Sequence, residues 1–162
     1  MIRDRRDEDL VRLCEVMGEL GNHLGSPASS ERRRWLQEID AEVSWVFDQA
    51  PVSAAPTKNV VGHVQIYRPP DLAWAREVAA QLDGQESRLL VIGRLLVKPS
   101  KHQHNIARFL LRECVKYVER QGAVGVLDPD SRPLVPSVIF SKVGFVQMTT
   151  REGGQLVRIS RG

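Results

Sequence analysis

The chain has 162 residues, 42% of them apolar and 27% charged, with 12 glycines and 9 prolines, which is ordinary globular usage and excludes a disordered or collagen-like chain. A single domain of this size has core enough without staples, burying about 70% of the surface its unfolded form exposes, and Cys14 and Cys114, far apart and outside any CxxC or Cys/His cluster, speak against a metal or a disulfide scaffold. The net charge of +3 and a pI near 9.1 permit a polyanionic partner without requiring one.

The longest apolar stretch, Leu89-Leu90-Val91-Ile92-Gly93, stops at Arg94, far short of the roughly 20 residues of a membrane span. With no apolar segment behind the basic N-terminus, the expectation is one cytoplasmic domain over 1–162 that does not engage membrane. The densest basic run, Glu31-Arg32-Arg33-Arg34, reads as a solvated helix face, and without interleaved aromatics nucleic acid is not expected as a partner.

In chain order, a short strand over 2–5 precedes a helix over 7–20 whose Leu10, Leu13, Met17 and Leu20 recur at three and four. After a turn-rich connector over 21–30, Ser30 can cap a second helix carrying Trp35, Leu36 and Ile39. Val43, Trp45 and Phe47 then alternate as in a strand, and 49–59 reads as a hairpin loop into a strand over 60–67. Residues 71–82 are helix-like, 89–97 form a central apolar strand, and 104–121 a long amphipathic helix burying Ile106, Phe109, Leu110, Cys114, Tyr117 and Val118, with Gly122 as its stop. A strand over 123–127, a short helix over 135–142 and two strands near 146–150 and 156–160, turning at Glu152-Gly153-Gly154, close the chain. Strands that alternate with helices and also meet in hairpins predict a mixed sheet with helices on both faces, an α/β or α+β class.

The segment from Arg94 to Arg108 is a buried strand, a polar turn and the first turn of the long helix. Helix-start N–H groups lack internal partners and sit at the positive end of the dipole, so with Lys98, Lys101, His102, His104 and Arg108 nearby the turn suits a pyrophosphate. A plain helix start with incidental surface bases is the alternative. Arg94 interrupts an otherwise apolar strand and must be paired, either with an acidic ligand or phosphate or, more simply, with an acidic side chain under a helix. Cys114 lies in an apolar stripe and reads as a core residue.

This segment resembles the signature of the GNAT N-acetyltransferase superfamily, a Val-rich strand, a Pro, then Arg/Gln-x-x-Gly-x-Gly/Ala and a long helix. His102-Gln103-His104-Asn105-Ile106-Ala107 stands in that place, with His102 for Arg/Gln, Asn105 for the middle glycine and Ala107 fitting the last position. Ile2-Arg3 through Glu8-Asp9-Leu10 is similar to the family's opening, and Phe140-Ser141-Lys142-Val143-Gly144-Phe145 to its closing aromatic-x-Lys-x-Gly-Phe segment. Element order matches over nearly the whole chain, with an extra helix-like insertion over about 69–86. The resemblance implies a mostly antiparallel central sheet flanked by helices and acetyl-CoA as co-substrate without a metal. Its arm would lie on Leu95, Leu96 and Val97, its phosphates on His102, Gln103, His104, Asn105, Ile106, Ala107 and Arg108, with Phe140 packing against the pantetheine or the core. Asn tolerates left-handed backbone angles best among non-glycine residues, so Asn105 is expected to preserve the turn.

The implied reaction is direct acetyl transfer from the thioester to a primary amine of a small molecule or a protein. It requires a base for the ammonium and a donor for the oxyanion, the latter a backbone N–H near Val97. The usual acidic residue is missing from 89–97. His63 is the first candidate base, since period two places His63, Gln65 and Tyr67 on one face, opposite Val60, Gly62, Val64 and Ile66; a structurally bonded histidine is its alternative, and Asp128 and Asp130 are alternative bases. Phe140 stands where the family commonly has its acid tyrosine, so Ser141, Ser137 or a water is expected to replace it. The alternative function is a weak or inactive acyl-CoA-binding regulatory module, and the C-terminal edge strands could pair in a homodimer.

Overall fold

The computed structural model describes residues 1–21, 27–50, 59–82, 88–129 and 134–151, and the backbone of 153–158. Seven strands form one sheet in the order β1-β2-β3-β4-β5-β7-β6: β1 (Ile2–Asp4), β2 (Val43–Asp48), β3 (Val60–Tyr67), β4 (Arg88–Val97), β5 (Ala123–Leu127), β6 (Val146–Thr150) and β7 (Gly153–Arg158). All neighbours run antiparallel except β4 and β5, whose parallel pairing needs the crossover supplied by the long helix α4 (Gln103–Arg120).

Both faces are covered, as expected. On one side Ile106, Leu110, Leu111, Cys114 and Val118 of α4, with Ile139 and Phe140 of α5 (Val138–Lys142), pack on Val64, Ile66, Leu90, Ile92, Leu95 and Val97. On the other, α1 (Asp9–Leu20) and α2 (Arg32–Gln37) cover Val46, Val60 and Leu96, while α3 (Ala73–Gln81), inside the expected insertion, covers Tyr67, Leu89, Val91 and Val126. Gly122, at φ 66°, adopts the left-handed conformation that ends α4, its N–H reaching back to Glu119 O.

Several boundaries differ from the sequence reading for identifiable reasons. Ser30 does not cap α2: Ser29–Glu31 form a 3-10 turn, Glu31 stands at the N-cap without a side-chain bond, and Ile39 lies beyond the helix end. Val60 leaves the face of Gly62 and joins the α1 cluster because the β2–β3 register slips between Phe47 and Asp48. Phe109 is 39% exposed, edge-on to Phe47 at the rim of the α4 contact. Gly153 and Gly154 pair with Thr150 and Thr149 within the last hairpin, so its turn is tighter than expected; the hairpin loop over 51–58 and residues 159–160 lie outside the described residues.

The entry to α1 is fixed electrostatically. Arg3 grips both carboxylate oxygens of Asp9 at 2.8 Å and reaches Asp48 Oδ2 at 3.1 Å, tying β1, α1 and the end of β2 together. Asp9 Oδ2 also accepts the Arg6 N–H at 2.8 Å. Burial alone would raise the Asp9 carboxyl, but the bonds from Arg3 and Arg6 hold it below its ordinary value. Arg3→Met is expected to cost about 3–5 kcal/mol in urea unfolding, because it strands two carboxylates whose side chains are fully shielded from solvent.

Candidate active site

The site is organised by an irregularity in β4. Gln65 pairs with Gly93 and His63 with Leu96, so Arg94 and Leu95 together oppose the single residue Val64: a β-bulge. Alternation flips across it. Leu90 and Ile92 face α4 before the bulge, Leu95 and Val97 after it. Arg94 takes φ 53°, the only positive value outside glycine among the described residues, at a cost of about 1–2 kcal/mol. Its surroundings hold it there: the guanidinium lies 4.5 Å over the Trp35 ring, donates to Trp35 O at 3.0 Å and pairs with Glu38 at 2.5 Å. Of the two pairings open to Arg94, the structure shows the acidic side chain beside a helix.

His63, Gln65 and Tyr67 do share a face, but three different fates await them there. His63 is fully buried; its Nδ1 lies 2.8 Å from Arg94 O and its Nε2 3.0 Å from the Arg5 guanidinium. A carbonyl only accepts and a guanidinium only donates, so the ring is neutral with its proton on Nδ1. Burial, reinforced by the charges of Arg5 and Arg94 and only partly offset by the bond to the carbonyl, pushes its pKa down to about 3. With the ring fully buried and both nitrogens engaged, His63 is corrected from base to structural element. Gln65 is bonded through Nε2 to Ser44 Oγ at 3.0 Å.

Tyr67 is the member that reaches a cavity. A space of about 770 Å³ opens between α2, the end of β3 and the β4 bulge, lined by Trp35, Glu38, Asp40, Tyr67, Arg94 and Asp128 among others. Tyr67 and Asp128 are both buried, and the hydroxyl donates to Asp128 Oδ2. Asp128 follows β5, its N–H on Ile92 O at 3.0 Å, at the point where regular β4–β5 pairing ends. The hydroxyl passes through the volume a side chain at residue 93 would fill: a Cβ on Gly93 would stand 2.1 Å from Tyr67 Oη. Sequence reasoning named Asp128 only as an alternative and gave Gly93 no role; the signal available was the single glycine inside an apolar strand. Asp130 lies outside the described residues.

On the same strand beyond the bulge, the predicted phosphate turn takes shape as the start of α4. The N–H groups of His104 and Asn105 have no acceptor among the described residues, and Ile106 and Ala107 are buried while His102, His104 and Asn105 are exposed. Arg108 Nε is buried and without an acceptor among the described residues, a donor suited to an anion. Asn105 lies within regular α4 with no positive φ, so its expected left-handed role is corrected: the helix begins at Gln103, before that position. Gln103 Nε2 donates to Val97 O at 3.0 Å, and Leu134 donates its N–H to Leu95 O at 2.7 Å while bridging Leu96 in parallel. The β4 edge predicted to carry a ligand arm thus already has two carbonyls engaged, which no sequence pattern announced.

The remaining candidates stand apart. Ser141 is exposed with its hydroxyl donated to Val138 O at 3.2 Å, and Ser137 is an exposed N-cap, so neither reaches the cavity of Tyr67 and Asp128. Phe140 is 5% exposed and belongs to the core under α4. Cys114 is fully buried, and burial pushes its thiol well up, consistent with a packing role.

A family model described as the acetyltransferase (GNAT) family matches residues 13–145. Among solved structures, Arabidopsis thaliana NAA60 in complex with a bisubstrate analogue is similar at a TM-score of 0.66 and 17% identity, covering 99% of each chain. A GNAT family acetyltransferase from Brucella melitensis in complex with acetyl-CoA gives 0.60 at 17% identity, covering 100% of this chain and 88% of the other. The aminoglycoside 6'-N-acetyltransferase from Enterococcus faecium gives 0.59 at 13% identity, covering 100% and 99%. Among curated proteins, none matches the sequence.

Because the folded protein excludes a proton that an unfolded histidine takes up below 6.5, His63 stabilises the fold less as pH falls from 6.5 toward 3. Urea unfolding from about pH 7 to about pH 4 is expected to show stability falling by up to ~1.4 kcal/mol per unit from this group, and His63→Gln should remove that slope.

Proposed function

The chain belongs to the acetyltransferase (GNAT) family, and from that premise we propose that it is an acetyl-CoA-dependent N-acetyltransferase acting on a primary amine, of a small molecule or a protein, seated in the cavity beside α2. The observation that carries this reading is the buried Tyr67–Asp128 pair in the cavity wall, at the end of the regular β4–β5 pairing. A cytoplasmic location goes with it; among the described residues no helix is long and apolar enough to cross a membrane.

The residues present fit acetyl-CoA. The N–H groups of His104 and Asn105 and the Arg108 Nε, all without acceptors among the described residues, with Lys101, His102 and His104 around them, would hold its phosphates, and its arm would lie along β4 at Leu95, Leu96 and Val97, where Leu134 and Gln103 occupy two carbonyls. When bound, it supplies the acetyl group as a thioester. An amine with a pKa near 10 arrives as ammonium, and Asp128, its carboxylate oriented by the Tyr67 hydroxyl, takes the proton. Backbone N–H groups of the bulge meet the negative charge that develops on the carbonyl oxygen. No side-chain acid is assigned to the departing sulfur, since a thiol titrates near 8.5 and leaves as thiolate.

A second reading, an acyl-CoA-binding module with little turnover, is favoured by one observation: Leu134 bridges the strand edge that the arm would use. Thiol release from acetyl-CoA across a panel of amines separates the two, and steady release with any amine excludes the second.

Calorimetric titration with acetyl-CoA is expected to show binding that Asn105→Glu weakens at least about tenfold, by placing a carboxylate at the helix start; a folded wild type that does not bind removes the reading. Asp128→Asn should lower thiol release by about 10²–10⁴-fold while acetyl-CoA binding is retained. Gly93→Ala, which drives the Tyr67 hydroxyl off Asp128, should lower it in the same direction.

A further inference from the structure

His63 stands behind the reacting centre rather than in it, and its contacts give that position a purpose. The Arg94 carbonyl that it binds at 2.8 Å belongs to the peptide unit whose other end is the Leu95 N–H. A trans peptide is planar with C=O and N–H opposed, so fixing one fixes the direction of the other. We propose that His63 is a positioning residue: by holding the Arg94 carbonyl from the α2 side it aims the Leu95 N–H as the donor that polarises the acetyl carbonyl. This rests on the acetyl-transfer reading above.

The surrounding contacts support a set geometry rather than a casual one. Arg5 donates both to His63 Nε2 at 3.0 Å and to Leu36 O at 2.7 Å, which locks the tautomer that presents Nδ1–H to the bulge. Arg94, held at positive φ by Trp35 and Glu38, anchors the same peptide from its side chain. A strained residue kept in place from both ends, at the mouth of a cavity, is the arrangement expected where backbone direction serves chemistry.

The test reads the bond itself. Acetyl-CoA labelled with carbon-13 at the carbonyl is bound to wild type, His63→Leu and His63→Gln, and the infrared carbonyl band is compared with that of the free compound, with CoA affinity measured in parallel. The wild type is expected to move the band to lower frequency; His63→Leu should lose most of that displacement while CoA binds within about threefold of wild type, and His63→Gln, whose amide still donates, should restore it. An unchanged band in His63→Leu overturns the proposal, as does a wild type that binds acetyl-CoA without moving the band. Failure of the wild type to bind acetyl-CoA overturns the cofactor reading and this role together, and so is distinguishable from the first two. Should His63→Leu not fold, Arg5→Met decides, since freeing Nε2 releases the tautomer and should reduce the displacement. Nitrogen-15 spectra of the unliganded protein should show His63 protonated on Nδ1; protonation on Nε2 overturns the proposal.

Discussion

Strand β4 serves two ladders of opposite sense, antiparallel to β3 and parallel to β5, and it is regular through both until a single extra residue interrupts it. The extra residue at Arg94 is that break. It reverses which side chains face α4, ends the regular pairing with β5 at Ile92 and Leu127, and carries an arginine from an apolar strand to the surface of α2. The cavity, the Tyr67–Asp128 contact and the irregular edge beyond Leu95 all lie within a residue or two of this point. A β4 continuous with the pattern of Leu89–Ile92 would pack the same two faces and leave none of them.

The charges around the bulge do structural work that a short helix could not do for itself. Helix α2 has six residues and no side-chain cap, so it forms through tertiary contacts rather than propensity. Its last-turn carbonyls receive guanidinium donors from outside, Trp35 O from Arg94 and Leu36 O from Arg5. The neutral His63 ring sits between those two arginines and accepts from one while donating to the backbone of the other. Burial first, and then the two cations that a charged imidazole would face, keep the ring neutral within the contacts that seat α2.

The type and order of the elements were legible because they rest on period: three-and-four in α1 and α4, two in β2 and β3. The turn before α4 was legible because unpaired helix-start amides and nearby bases are a local feature. What escaped depends on residues distant in sequence. Period two placed His63, Gln65 and Tyr67 on one face, but only the fold reveals that Arg5 and Arg94 close over the first, and that Gly93 leaves the third a route to Asp128. Asn105 stands in place of a glycine that suggests a left-handed turn, whereas α4 starts two residues earlier and makes its backbone ordinary. Phe109 falls on the apolar stripe, yet it is 39% exposed at the rim beside Phe47.

The contact of Leu134 with β4 bears on how the protein behaves when nothing fills its cleft. A sheet whose neighbouring strands diverge presents an internal strand edge, with backbone groups turned outward in the manner that invites another chain to add a strand. Here Leu134 donates to Leu95 O, its side chain is 1% exposed among the α1 and α2 apolar residues, and the Gln103 amide occupies Val97 O. Leu134 and Gln103 thus cap the carbonyls that the end of the β4–β5 pairing leaves, so this edge does not offer those carbonyls as a seed for aggregation.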